Sequence, residues 1–143
     1  MEHSDSTLIA RPPEAVWALV GDIEGWPTWV KDLSDVQLPD GMAAGAPFTY
    51  RYRGDEVSGT IAQYEQGLLV GIATQYSAYD FSESIRLKPD GEGTRVILTM
   101  GFVPTTWWTR LLAIPIRPLR RWVLGSSMRK TLTALRTAAE TSD

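Results

Sequence analysis

Cysteine is absent from the 143 residues. Its absence excludes disulfide bonds, thiolate nucleophiles and cysteine metal ligands. An intracellular, reducing setting fits this composition, and a cytoplasmic location is expected. Histidine occurs once, as His3, close to a terminus where fraying is expected. With the only histidine at such a terminus, neither a Ser-His-Asp triad nor a histidine-rich metal site is expected, nor is any bound metal. No apolar run reaches the ~18 residues that cross a bilayer. The opening "MEHSDSTLIARPPE" lacks a basic stretch followed by an apolar one, so no secretory signal is expected. Excess positive charge is lacking as well: the formal net charge is −3, which gives no general case for nucleic-acid binding. Without internal repeats or low-complexity segments, the length points to a single domain over 1–143.

Charge and aromatic residues are present but unevenly spread. Residues 1–104 carry seven Lys/Arg and fifteen Asp/Glu, whereas 105–143 carry seven Lys/Arg and only Glu140 and Asp143. "STLIA" (6–10) reads as a short strand ended by Arg11, Pro12 and Pro13. Proline suits a helix start because its missing N–H has no partner to lose there. "PEAVWALVGDI" therefore reads as a short helix, broken at Gly21 or Gly25. "WPTWVKDL" reads as a second helical turn with Pro27 at its first position. No basic residues cluster on the pair, which argues against DNA reading.

From about residue 33 the apolar period changes to two. "LSDVQL", "PFTYRYR", "EVSGTIAQYE", "LLVGIATQY", "YDFSESIRLK" and "TRVILTMGFV" form six candidate strands. The separators "PDGMAAG", "GD", "QG", "SA" and "PDGEG" supply turn residues, so an antiparallel meander is expected. Alternation places Phe48, Tyr50 and Tyr52 on one face and Thr49, Arg51 and Arg53 on the other. Val96, Leu98, Met100 and Phe102 share a face, as do Tyr79, Phe81, Glu83, Ile85 and Leu87. Glu83 is then the one carboxylate in an apolar series.

The tail returns to helical spacing. Leu124, Met128, Leu132, Leu135 and Ala139 form an apolar stripe, and Pro118 suits the start of a long helix running to about Ala139. A short helix or loop is expected near 105–114, interrupted by Pro115 and Pro118.

The order of elements, together with "ARPPEAVWALVGDIEGWPTWVKDLSDVQL", resembles the polyketide cyclase/dehydrase-like proteins of the START-like superfamily, which share the helix-grip fold of the birch-pollen-allergen family. The residues that carry the resemblance are Pro13, Val16 and Trp17, then Asp22-Ile23-Glu24, and Trp26-Pro27 with Trp29. "PDGEGTRVILTMGF" is similar to the family's last hairpin and "LTALRTAAE" to the end of its long helix. The resemblance implies an α+β helix-grip fold: about seven curved antiparallel strands around a long C-terminal helix, with two short helices after the first strand. It further implies a cavity for a bulky hydrophobic molecule, polyketide- or lipid-like. Aromatase/cyclase members line that cavity with polar groups, including arginines; here "GTIAQYE" and "GIATQYS" offer Thr60, Gln63, Thr74 and Gln75.

Two main function classes follow, beside a third, a chaperone-like or partner-binding module of the same superfamily that would use the exposed helix face. One is a cofactor-independent enzyme of biosynthesis that cyclises or dehydrates its ligand. The other is a non-enzymatic carrier or sensor of a hydrophobic ligand, at a membrane surface in one version. For the enzyme, Glu83, Tyr50 and Tyr76 are the catalytic candidates, because a carboxyl or phenol in an apolar cavity can move protons near neutral pH. Trp26, Trp29, Tyr52, Thr74, Phe81, Met100, Trp108, Met128 and Leu132 are the ligand-binding candidates. Each has a plainer alternative, and for Glu83 it is a face assignment slipped by one residue, which puts the carboxyl in water. Trp26 and Trp29 can be core, with Trp26 holding the two helices and Trp29 nearer the cavity opening. The tyrosines can be sheet filler, since tyrosine favours strands. Gly125, Ser126 and Ser127 either leave volume for a ligand or reflect surface drift. The basic, Trp-rich segment 105–124 can be a lid, a dimer surface, a membrane-surface patch or ordinary packing. A monomer or homodimer is expected.

Overall fold

The first and last strands lie side by side, which makes the sheet continuous from the start of the chain to residue 104. A computed structural model describes residues 2–75, 79–104 and 117–141. Its strands are β1 (Glu2–Ile9), β2 (Leu33–Gln37), β3 (Pro47–Tyr52), β4 (Asp55–Glu65), β5 (Leu69–Gln75), β6 (Tyr79–Asp90) and β7 (Gly93–Pro104). They form one seven-stranded antiparallel sheet in the order β1-β7-β6-β5-β4-β3-β2. Six strands follow the meander that the alternating sequence predicts. β1 joins at the β7 edge, with Glu2 opposite Gly101 and Ile9 opposite Thr94. Register shifts between Ser34 and Gln37 and between Ile61 and Gln63 mark bulges. Bulges bend strands and sharpen twist, so these two contribute to the sheet's curvature.

β1 corrects one expectation. The terminus does not fray at His3: the strand begins at Glu2, and His3 pairs opposite Met100. "EHSDST" has no apolar periodicity of its own, and pairing with β7 supplies what local propensity lacks.

α1 (Pro13–Val20) starts as expected, with Pro12 extended before it and Pro13 in the first turn. It stops at Gly21, whose N–H donates to the Trp17 carbonyl at 2.8 Å. A Cβ at Gly21 would sit 2.5 Å from the Trp17 indole, so only glycine lets that ring fold against the helix end. The second helical piece is a 3-10 helix over Ile23–Thr28, not a turn beginning at Pro27. Its start signal is Asp22, whose carboxylate accepts the Glu24 N–H at 2.9 Å.

The C-terminal helix α2 (Arg117–Thr141) matches the predicted span closely. Met128, Leu132, Leu135 and Ala139 are all buried, as the stripe requires. They pack toward β1, β7 and α1. Each large apolar side chain so buried contributes roughly 1.5–3 kcal/mol. The helix end is pinned by Glu140, whose Oε2 accepts the Ala10 N–H just after β1 at 2.9 Å. The expected helix or loop at 105–114 lies outside the described residues.

Candidate functional site

Strand registers convert the linear sequence into rows across the inward face. One row runs Phe48, Gly59, Thr74, Phe81, Phe102 from β3 to β7. The next runs Ile61, Ile72, Glu83, Met100, His3 from β4 through β7 to β1. Below that lie Val70, Ile85, Leu98 and Asp5. Ile61, Ile72, Ile85 and Leu98 are at most 2% exposed, so these rows belong to the core side of the sheet.

Glu83 stands in the middle of this face, opposite Ile72 on one side and Met100 on the other. It is half-buried, and burial among apolar neighbours pushes its carboxyl from 4.5 up to about 7. Desolvation acts this way because it penalises the charged form alone. Among the described residues Glu83 has no hydrogen-bond or ion-pair partner. Phe81 and Phe102, in the row above, are half-buried too, so this part of the face is not sealed.

Two polar groups of this face are buried with no hydrogen-bond partner among the described residues. Thr74 is only 1% exposed, and its Oγ1 has no hydrogen-bond partner. The His3 Nε2 is likewise buried without a partner. Buried polar atoms are almost always satisfied, so each orphan calls for a specific explanation. Gly59 explains how Thr74 fits: a Cβ there would run into the Ala73 carbonyl and lie 2.7 Å from Phe48 and 3.0 Å from the Thr74 methyl. Of the four polar residues that "GTIAQYE" and "GIATQYS" offer, Thr60, Gln63 and Gln75 are exposed and Thr74 alone is buried.

The remaining candidates scatter. Tyr50 is buried and faces inward, its ring 5.6 Å from Phe48. It lies three strands from Glu83, roughly 14 Å along the sheet. Tyr52 is half-buried opposite Leu33, with the Arg53 guanidinium 5.2 Å from its ring centre. Met100, Met128 and Leu132 are buried. Tyr76 and Trp108 lie outside the described residues, as do residues 105–116 of the basic segment. Gly125, Ser126 and Ser127 fall within α2.

The tryptophans of "DIEGWPTWV" hold the helical corner together. The Trp26 indole N–H donates to the Val20 carbonyl at 3.0 Å, and that of Trp29 to the Leu19 carbonyl at 2.9 Å. The acceptors are the last carbonyls of α1, which have no partner within the helix. The two rings lie 5.9 Å apart, tilted by 55°, and are 3% and 7% exposed. With both N–H groups engaged, only ring surface is left for any ligand.

His3 was missed by sequence reasoning. The signal was there, since His3, Asp5, Thr7 and Ile9 alternate toward one face, but only Ile9 is apolar. Among the described residues no group of His, Asp and Glu side chains could hold a metal ion. No helix among them is long and apolar enough to cross a membrane.

Comparison by sequence with curated proteins finds no match. Solved structures match over almost the whole chain. A START superfamily protein from Mycobacterium smegmatis superposes with a TM-score of 0.73 at 14% identity, over 97% of each chain. The Zhui aromatase/cyclase from a Streptomyces species gives 0.73 at 14% identity, over 98% of this chain and 93% of that one. A polyketide-cyclase-like protein from Corynebacterium glutamicum gives 0.69 at 24% identity, over 97% and 91%. At these identities the likeness establishes the helix-grip fold. The sequence model of the family described as polyketide cyclase / dehydrase and lipid transport matches residues 2–140, and the chain belongs to that family.

Proposed function

We propose that this protein binds a bulky hydrophobic small molecule against the inward face of the sheet and that Glu83 moves protons on it. The observation that carries the reading is Glu83 itself: a carboxyl between Ile72 and Met100 on an apolar, incompletely covered face, with its pKa raised to about 7. Such a group is part acid and part base at neutral pH, the condition for efficient general acid–base catalysis. The family description and the aromatase/cyclase with the same fold support cyclisation or dehydration as the reaction class. In that chemistry the Glu83 carboxylate takes a proton from a carbon next to a ketone. The enolate carbon attacks a second carbonyl of the same chain, and the new alkoxide takes the proton back. Loss of water then removes the hydroxyl with a neighbouring proton. Holding both ends of one chain together can itself be worth ~7–11 kcal/mol.

The second reading is a carrier, and it too has a specific observation. Catalytic acids and bases are commonly oriented by a neighbouring group, whereas Glu83 has no such partner among the described residues. Incubation with the molecule recovered from the native host separates the two. An enzyme yields an isomer or a species lighter by one water, and Glu83→Gln abolishes the conversion while leaving the fold intact. A carrier returns the molecule unchanged, and unchanged turnover in Glu83→Gln removes Glu83 from the mechanism.

A further inference from the structure

Thr74 and Glu83 are diagonal neighbours on adjacent strands. Thr74 is opposite Phe81 and Ile72 is opposite Glu83, so the two polar residues sit one inward position apart across the β5–β6 ladder. Diagonal pairs of this kind have their Cβ atoms roughly 7 Å apart. The threonine hydroxyl and the longer glutamate side chain take up part of that gap. A ligand atom hydrogen-bonded to both at about 2.8 Å has to displace the side chains that close the Thr74 hydroxyl off from solvent. The Thr74 methyl packs toward Gly59, which leaves the hydroxyl on another position of its Cβ, buried and without a partner.

We infer that Thr74 and Glu83 together hold one neutral oxygen atom of the ligand, a ketone or hydroxyl oxygen, and that ligands ending in a charged group are selected against at this spot. The inference rests on the ligand-binding reading above and adds the chemical class of the bound end. A ligand hydroxyl accepts from Thr74 and donates to the Glu83 carboxylate; a ketone accepts from Thr74 and from the protonated acid. A ligand carboxylate would meet Glu83 as a like charge. An ammonium would have to shed its water among Phe48, Phe81 and Phe102, at a desolvation penalty that one ion pair often fails to offset. The other titratable groups that the described strands turn inward, among side chains the structure describes, are His3 and Asp5 on β1, Tyr50 and Tyr52 on β3, and Asp55 and Tyr64 on β4. None is a lysine or arginine that would draw an anion to the Thr74 side.

Calorimetric titration at pH 8 with 1-decanol, 2-decanone, decanoate, decylamine and naphthalene tests this. At pH 8, where Glu83 is mostly ionised, wild-type protein is expected to bind the alcohol about tenfold more tightly than decanoate or decylamine, the size of effect one or two net hydrogen bonds give, and to bind the ketone, which needs the protonated acid, more tightly as pH falls toward 6. Thr74→Val, which keeps the shape and removes the hydroxyl, should lose about five- to tenfold for the alcohol and ketone and nothing for naphthalene. Thr74→Ser should retain the wild-type order, and thermal melts of both variants establish that they fold. Glu83→Gln should narrow the gap between decanol and decanoate. Equal binding of decanol by wild type and Thr74→Val overturns the inference, as does tighter binding of decanoate or decylamine. Naphthalene binding without these selectivities leaves the ligand-binding reading standing and removes only this one. No binding by any probe removes both.

Discussion

Glu83 on β6 and Met100 on β7 stand opposite each other on the inward face, so a carboxyl group looks onto a thioether and not onto a cation. Removing the charge should therefore stabilise the protein. The folded-state value is raised, from 4.5 to about 7, so the native state holds its proton more tightly than the unfolded chain. The contribution of Glu83 is most favourable below pH 4.5, declines as pH rises through 7, and is constant above that. A shift of this size corresponds to at most about 3 kcal/mol, less for a half-buried group. Glu83→Gln should melt a few degrees above wild type at pH 8, with the gap closing as pH falls below 4.5. A gap that does not change with pH would mean that the carboxyl is hydrated.

Trp26 and Trp29 should matter for stability more than their position near a turn suggests. Replacing either with Phe keeps most of the apolar area and deletes the N–H that satisfies Val20 or Leu19. Each is expected to cost about 1–3 kcal/mol in a denaturant titration, with Trp26 the costlier because its bond is fully buried. Because the rings touch, the double variant should lose less than the sum of the two. Full ligand affinity in Trp29→Phe would assign that residue to the scaffold alone.

Gly59→Ala should be poorly tolerated. The added methyl group would meet the Ala73 backbone, Phe48 and Thr74 at once, and backbone cannot step aside cheaply. Overpacking of this sort costs about 1–3 kcal/mol. A melting temperature equal to wild type would show that β4 and β5 can separate there.

Glu140 ties the end of α2 to the chain after β1. Its carboxyl is held below the usual carboxylate range, first by the Ala10 N–H and then by Arg136. The stability it adds is present above the unfolded carboxylate value and is lost as pH falls through the lowered folded one. Glu140→Ala should melt below wild type at pH 7, with the difference closing in strong acid. A constant difference would point to lost packing instead.

The strands were legible because each needs one apolar face and a turn at each end. "VILTMGF" alternates cleanly, and the inward placement of Glu83 followed from Phe81, Ile85 and Leu87 beside it. The α2 stripe was legible for the same reason at helical spacing. What could not be read depends on partners distant in sequence. His3 is strand because β7 is there to pair with it, and nothing in "EHSDST" says so. The 3-10 helix was placed too late because Pro27 is a louder signal than the Asp22 cap that starts it. The orphan state of Thr74 needs three strands in register before it exists at all. Sequence also gave no reason to expect that both indole N–H groups would close the same helix end.

The central claim is that a hydrophobic molecule occupies the face that carries Glu83. Native mass spectrometry of the protein purified from its own host, and again after incubation with that host's metabolite extract, tests it most directly. The account predicts a one-to-one complex with a hydrophobic small molecule that carries a neutral oxygen function. Protein at its unliganded mass in both preparations would contradict it.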